Sequence, residues 1–159
     1  MGTTEPEPGT FLFYDCGMDS LGYDDVFLRL AVAVISGAII GLDREVRDKP
    51  AGLRTMSLVS LGSAVFVLAA LGGDGSDNPL PAIQGIITGI GFLGAGAIIR
   101  GPSDQAVQGL TTAASIWLAS ALGIASSRAA WPLVFAGCAF GLLVLIAEPF
   151  ERWIKARFR

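Results

Sequence analysis

The sequence predicts an all-α protein, a polytopic membrane bundle of about five transmembrane helices packed through glycine. Three observations carry that reading. The chain is 52% hydrophobic and only 16% charged over 159 residues, where soluble domains average about 25% charged. Five apolar runs of roughly bilayer-crossing length are separated by charged or Gly/Pro-rich turns. One of those runs, Gly85 to Ile99, holds five glycines, at 85, 89, 91, 94 and 96. Each glycine disfavours a water-exposed helix by about 1 kcal/mol relative to alanine, whereas in lipid it lets helix backbones approach closely.

The first 25 residues carry Glu5, Glu7, Asp15, Asp19, Asp24 and Asp25 where a signal peptide would be basic, so they read as an acidic extracytoplasmic arm. The transmembrane domain is then expected over 26–148, with spans near 26–42, 55–72, 83–99, 110–125 and 131–147. The first connection is a charged turn containing Pro50 and Gly52, and the second is a polar loop over 73–81. Trp131 opens the fifth span, with Pro132 at a tolerated first-turn position. Trp153 follows that span, so the two tryptophans suit the aromatic belts at the two interfaces. In the tail, 149–159, Phe150, Trp153, Ile154 and Phe158 recur at helical spacing between basic residues. This fits either a short helix lying on an anionic leaflet or a simple stop-transfer flank.

Orientation follows the positive charges. Arg44, Arg47, Lys49 and Arg54 surround the first connection, Arg100 ends the third span, and Arg152, Lys155, Arg157 and Arg159 fill the tail. The other side offers Arg128 among acids that include Asp74 and Asp77. The positive-inside rule therefore places the N-terminus outside and the C-terminus in the cytoplasm.

Several functions are disfavoured by what is missing. There is no histidine, which leaves hard oxygen sites for Mg²⁺ or Ca²⁺ and no metal site is expected. Cys16 and Cys138 sit in unlike surroundings and are not expected to pair. Eleven Lys and Arg without a basic stripe argue against nucleic-acid binding. No ionisable residue lies near the middle of a span, Arg29 being close enough to the boundary to snorkel, which argues against a proton-coupled pump. No catalytic pairing is visible, so neither enzyme activity nor a cofactor is expected.

Gly89-x-Gly91-x-x-Gly94 matches a dinucleotide fingerprint in form only: no strand precedes it and no ribose-binding acid follows at the right distance. The better reading is helix packing. Gly-x-x-x-Gly recurs at Gly37/Gly41, Gly85/Gly89 and Gly137/Gly141, which fits a tight core or a homodimer seam. An alternative is a third helix that unwinds over Gly89 to Gly96, as in transporters. A faint repeat is also present: Gly37-Ala-Ile-Ile40 precedes Gly52-Leu-Arg-Thr55, and Gly96-Ala-Ile-Ile99 precedes Gly109-Leu-Thr-Thr112. A parallel duplication of two hairpins would bring two Gly-Leu-x-Thr helix starts to one end of the bundle, with Asp43, Arg44, Glu45, Arg54, Arg100 and Asp104 around them. Asp43, Arg44, Glu45 and Arg54 are expected to be buried between the helix ends.

Asp43-Arg44-Glu45-x3-Lys49-x-Ala51-Gly52-Leu53-Arg54-Thr55, then Gly89 to Gly96, then Gly109-Leu-Thr-Thr-Ala-Ala114 with Trp117, resemble the MgtC/SapB family of bacterial inner-membrane proteins. The resemblance spans about residues 26–147. It implies about five helices with a cytoplasmic C-terminus and a role in adaptation to low magnesium, acid or the host interior. The name-giving member is regarded as a regulator, not a magnesium transporter, that binds partner membrane proteins, notably inhibiting the F-type ATP synthase. Position 43 is Asp where Glu is more usual. Many members continue into a cytoplasmic domain, so the short members are the nearer match. The expected recognition face comprises Asp43, Arg44, Glu45, Lys49, Gly52, Arg54, Thr55, Arg100, Thr111 and Thr112, with Gly89 to Gly96 as the structural centre. The alternative function is a small channel or transporter, marked by a watery cavity reaching Thr88, Gly91 and Thr112.

Overall fold

The spacing of apolar and small residues produces five helices in the computed structural model, which describes residues 21–71, 78–100 and 107–147. They are α1 (Tyr23–Val46), α2 (Leu53–Ala70), α3 (Leu80–Ala97), α4 (Leu110–Ser127) and α5 (Trp131–Ile146). The first four are long and apolar enough to cross a membrane, and α5 is a shorter apolar helix. The chain is thus a multi-pass membrane protein of the all-α class. The acidic arm before residue 21, Asp74, Asp77, Asp104, Glu148 and the basic tail fall outside the described residues.

Local chemistry sets the helix boundaries. Helix α1 runs past its apolar stretch through Asp43-Arg44-Glu45 to Val46, so Gly37-Ala-Ile-Ile40 lies inside it and does not end it. It closes with a Schellman turn: Asp48 adopts φ 52°, and the Asp48 and Lys49 amides donate to the Glu45 and Arg44 carbonyls. Helices α2 and α4 each begin at the leucine after a glycine, and each is 18 residues long. Helix α3 starts where the Leu80 amide donates to the Asn78 carboxamide, 3.1 Å, with Pro81 in the first turn. Between α3 and α4 the chain forms a two-residue antiparallel ribbon, Ile99 opposite Gln108 and Arg100 opposite Val107. The segments before the two Gly-Leu starts therefore differ, a turn in one case and a ribbon in the other.

The bundle is apolar outside and partly polar inside, the reverse of a soluble domain. Phe27, Phe92, Phe135, Phe140 and Leu143 are exposed, whereas Ser36, Ser60, Ser63, Ser115, Ser120, Ser126 and Ser127 are buried. Lipid accounts for the first set. Most of the second set turn their hydroxyls back onto their own helix: Ser63 bonds Val59, Ser115 bonds Thr111, and Ser126 bonds Leu122. Ser63 and Ser120 also meet each other at 2.8 Å across α2 and α4, the interhelical polar contact that membrane bundles use in place of hydrophobic association.

Close approach identifies the true centre. A Cβ at Gly37 would lie 2.5 Å from the Met56 carbonyl oxygen of α2, and one at Gly41 would lie 2.6 Å from Leu53 Cα. A Cβ at Gly123 of α4 would collide with the Ser60 backbone of α2. Gly137 and Gly141 of α5 receive the side-chain ends of Leu122, Leu118 and Ile40. The third span corrects the expectation of a glycine-built centre. A Cβ at Gly85, Gly89, Gly91 or Gly96 would have nothing within 4 Å, and only at Gly94 would it make contact, 3.5 Å from Ala113. Helix α3 lies at the edge of the bundle with Ile90 and Gly94 alone buried, because the interior is already filled by α1, α2 and α4. It is also continuous to Ala97, not unwound over Gly89 to Gly96.

Candidate functional site

One glycine contact and one arginine decide where the helix ends meet. Gly41 packs on Leu53 at the start of α2, and Arg44, one turn further along α1, reaches the start of α4. Helix α1 therefore runs antiparallel to both, and the first turns of α2 and α4 lie at one end of the molecule. The Arg44 side chain is buried, 3% exposed, and its Nη2 donates a 2.7 Å hydrogen bond to the Thr112 hydroxyl, itself 2% exposed. A hydrogen bond from a charged donor in such a place contributes about 1.5–3 kcal/mol.

The other end of the same helix pair is held in the same way. Arg29, expected to snorkel, instead pairs with Asp25 at 2.7 Å and donates from Nη1 to the Ser127 carbonyl at the end of α4, 2.7 Å. A cation there satisfies one of the free carbonyls and matches the negative end of the helix dipole. Arginines fifteen positions apart on α1 thus fasten both ends of α4.

Around the Arg44–Thr112 contact the remaining residues divide into two groups. Asp43 is half-buried and accepts from Arg47 Nε at 2.8 Å. Lys49 is tied through its amide to the Arg44 carbonyl. Glu45 caps α2: its Oε2 accepts from the Leu53 amide at 3.1 Å, in the space that Gly52 leaves by having no side chain. The anion at this helix start is the protein's own carboxylate. Facing outward are Arg54, Thr55, Thr111 and the Glu45 side chain itself. Of the four residues expected to be buried between helix ends, Arg44 is, Asp43 is partly, and Glu45 and Arg54 are exposed, since α2 turns its second residue away from α1. The side chain of Arg100 falls outside what is described.

Thr112 is enclosed while Thr88 and Gly91 are exposed on α3, so the three do not share a chamber. Among the described residues no three His, Cys, Asp or Glu side chains converge to hold a metal. A lateral apolar groove of about 750 Å³ lies instead between α2 and α3.

Arg29, Gly123 and the serines of α4 were not legible as partners from sequence, although one signal was available. Ser115, Ala119, Gly123 and Ser127 recur every four residues and form a buried stripe of small side chains on α4.

The sequence pattern of the MgtC family matches residues 30–153. The protein SrpB of Synechococcus elongatus is 43% identical over 130 residues, 74% of this chain and 71% of SrpB. The protein SapB of Bacillus subtilis is 34% identical over 138 residues, 82% of this chain and 58% of SapB. The protein MgtC of Salmonella typhimurium is 43% identical over 97 residues, 61% of this chain. The match spans only 41% of that MgtC. No solved structure matches.

Proposed function

Because this chain belongs to the MgtC family, we propose that it is a non-enzymatic regulator of another membrane complex, with the F-type ATP synthase of the bacterial inner membrane as the expected partner. Its setting is adaptation to low magnesium, acid or life inside a host. The N-terminus faces outward and the C-terminus faces the cytoplasm, as the distribution of Arg and Lys favours.

The observation that supports this reading is the Arg44–Thr112 contact together with what surrounds it. A buried hydrogen bond fixes the starts of α2 and α4 against the end of α1. It leaves Glu45, Arg54, Thr55 and Thr111 exposed at that end. A rigid frame that presents a few charged and hydroxyl side chains suits recognition of a protein surface.

The test uses inverted membrane vesicles with and without the protein, following ATP hydrolysis and the proton gradient together. Hydrolysis and pumping that fall in step support inhibition of the ATP synthase. A gradient that leaks away while hydrolysis holds would replace the regulatory reading with a conducting one.

A further inference from the structure

We infer that the groove between α2 and α3 is a binding site for the acyl chain of an anionic phospholipid, whose headgroup is engaged by Arg54. The inference requires only that the chain spans a bilayer and is independent of any protein partner.

The groove is lined on α2 by residues from Thr55 to Phe66 and on α3 by residues that include Gly85, Gly89 and Leu93. Gly62, Gly85 and Gly89 have open space where a Cβ would stand, so the hollow is made by missing side chains. About eleven residue steps of roughly 1.5 Å give it a length of about 16 Å, beginning at the third residue of α2. That is close to the roughly 15 Å of one leaflet, half of a hydrocarbon core about 30 Å thick. An acyl chain from the leaflet on the Arg54 side therefore fits from end to end.

Charge then selects the headgroup. Arg54 is exposed in the first turn of α2, immediately before Thr55 at the groove mouth. A cation there opposes the positive end of the helix dipole, so it does not serve helix stability. An anionic phosphate beside it and beside the exposed Thr55 hydroxyl complements the charge.

The experiment is native mass spectrometry of the delipidated protein in detergent, titrated with dioleoylphosphatidylglycerol or dioleoylphosphatidylcholine. One phosphatidylglycerol is expected to be retained about fivefold more tightly than phosphatidylcholine, the ratio equivalent to the roughly 1 kcal/mol of one basic residue beside an anionic lipid. Gly89→Leu and Gly62→Leu, whose Cβ atoms would meet nothing within 4 Å, are expected to lose the retained lipid while circular dichroism shows unchanged helicity. Arg54→Gln is expected to keep a lipid but lose the preference between headgroups, and it stands alone as a test if the glycine variants misfold. Equal retention of the two lipids, retention unchanged in Gly89→Leu, or a dimer that Gly89→Leu dissolves would each overturn the assignment. The dimer would make a second copy of the chain the occupant. Because the readout is bound lipid, its failure is separate from any failure to inhibit ATP hydrolysis.

Discussion

The Arg44 guanidinium of α1 donates to the Thr112 hydroxyl of α4 across 68 positions of sequence, with both side chains buried. A charge inside a bilayer-spanning bundle is retained only where it is hydrogen-bonded, since an unpaired one is disfavoured by several kcal/mol. The contact is therefore a specifying one: it fixes which turn of α1 meets the first turn of α4. Thr112→Val, nearly isosteric but without the acceptor, is expected to destabilise the fold by about 1.5–3 kcal/mol. A double-mutant cycle with Arg44→Met, read by unfolding in detergent, should give a coupling of about 1–3 kcal/mol. Additivity of the two changes would show that the contact carries no energy.

The glycines separate into two classes that substitution will distinguish. A Cβ on Gly123 meets the Ser60 backbone, which cannot rotate away, so Gly123→Ala is expected to push α4 off α2 and to destabilise by about 1–3 kcal/mol. A Cβ on Gly89 meets nothing, and Gly89→Ala is expected to raise stability by up to about 1 kcal/mol through helix propensity. Melting the two variants side by side checks the pair. Equal destabilisation would place α3 in the core after all.

This contrast explains how far the sequence could be read. Helix starts were legible at Gly52-Leu53 and Gly109-Leu110 because a glycine before a leucine-led apolar run is a local signal. The existence of five helices was equally local. Which glycine face meets another helix is not local. Gly37/Gly41 and Gly85/Gly89 have the same spacing, yet the first pair touches α2 and the second faces open space. Arg29 was readable as an interfacial cation, but its acceptor at Ser127 lies 98 positions away. Within the candidate site, Asp43-Arg44-Glu45 stood out as a charged cluster at a helix end. Only the hand of α1 decides that Arg44 turns inward while Glu45, about 100° further round, turns to the cap of α2.

Gly109 marks a point where backbone and packing coincide. It adopts φ 90°, and a Cβ there would collide with the Ala97 carbonyl at the end of α3. Gly109→Ala combines a left-handed strain of about 1 kcal/mol with a backbone clash that no side chain can relieve. It is expected to abolish accumulation of folded protein in the membrane. Ala129 is the converse case: it holds the left-handed position after α4 at φ 52° with both Schellman hydrogen bonds made. Ala129→Gly removes that strain and should stabilise by about 1 kcal/mol. A lower melting temperature in the glycine variant would count against the assigned turn.

Arg54 is where stability and activity come apart. It is exposed in the first turn of α2, where the helix dipole favours an acid over a base. Arg54→Glu therefore places a favoured charge there, by about 0.3–1 kcal/mol, offset in part by repulsion from the neighbouring Glu45 cap. The variant is expected to fold and to insert normally, with a melting temperature close to that of the parent. Its ability to depress ATP hydrolysis in inverted vesicles is expected to be lost, because the one charge of α2 that faces outward at this end has been reversed. Restoration by a compensating acid-to-base change in the partner would locate the contact. Full inhibition by Arg54→Glu would remove this end of the bundle as the recognition face.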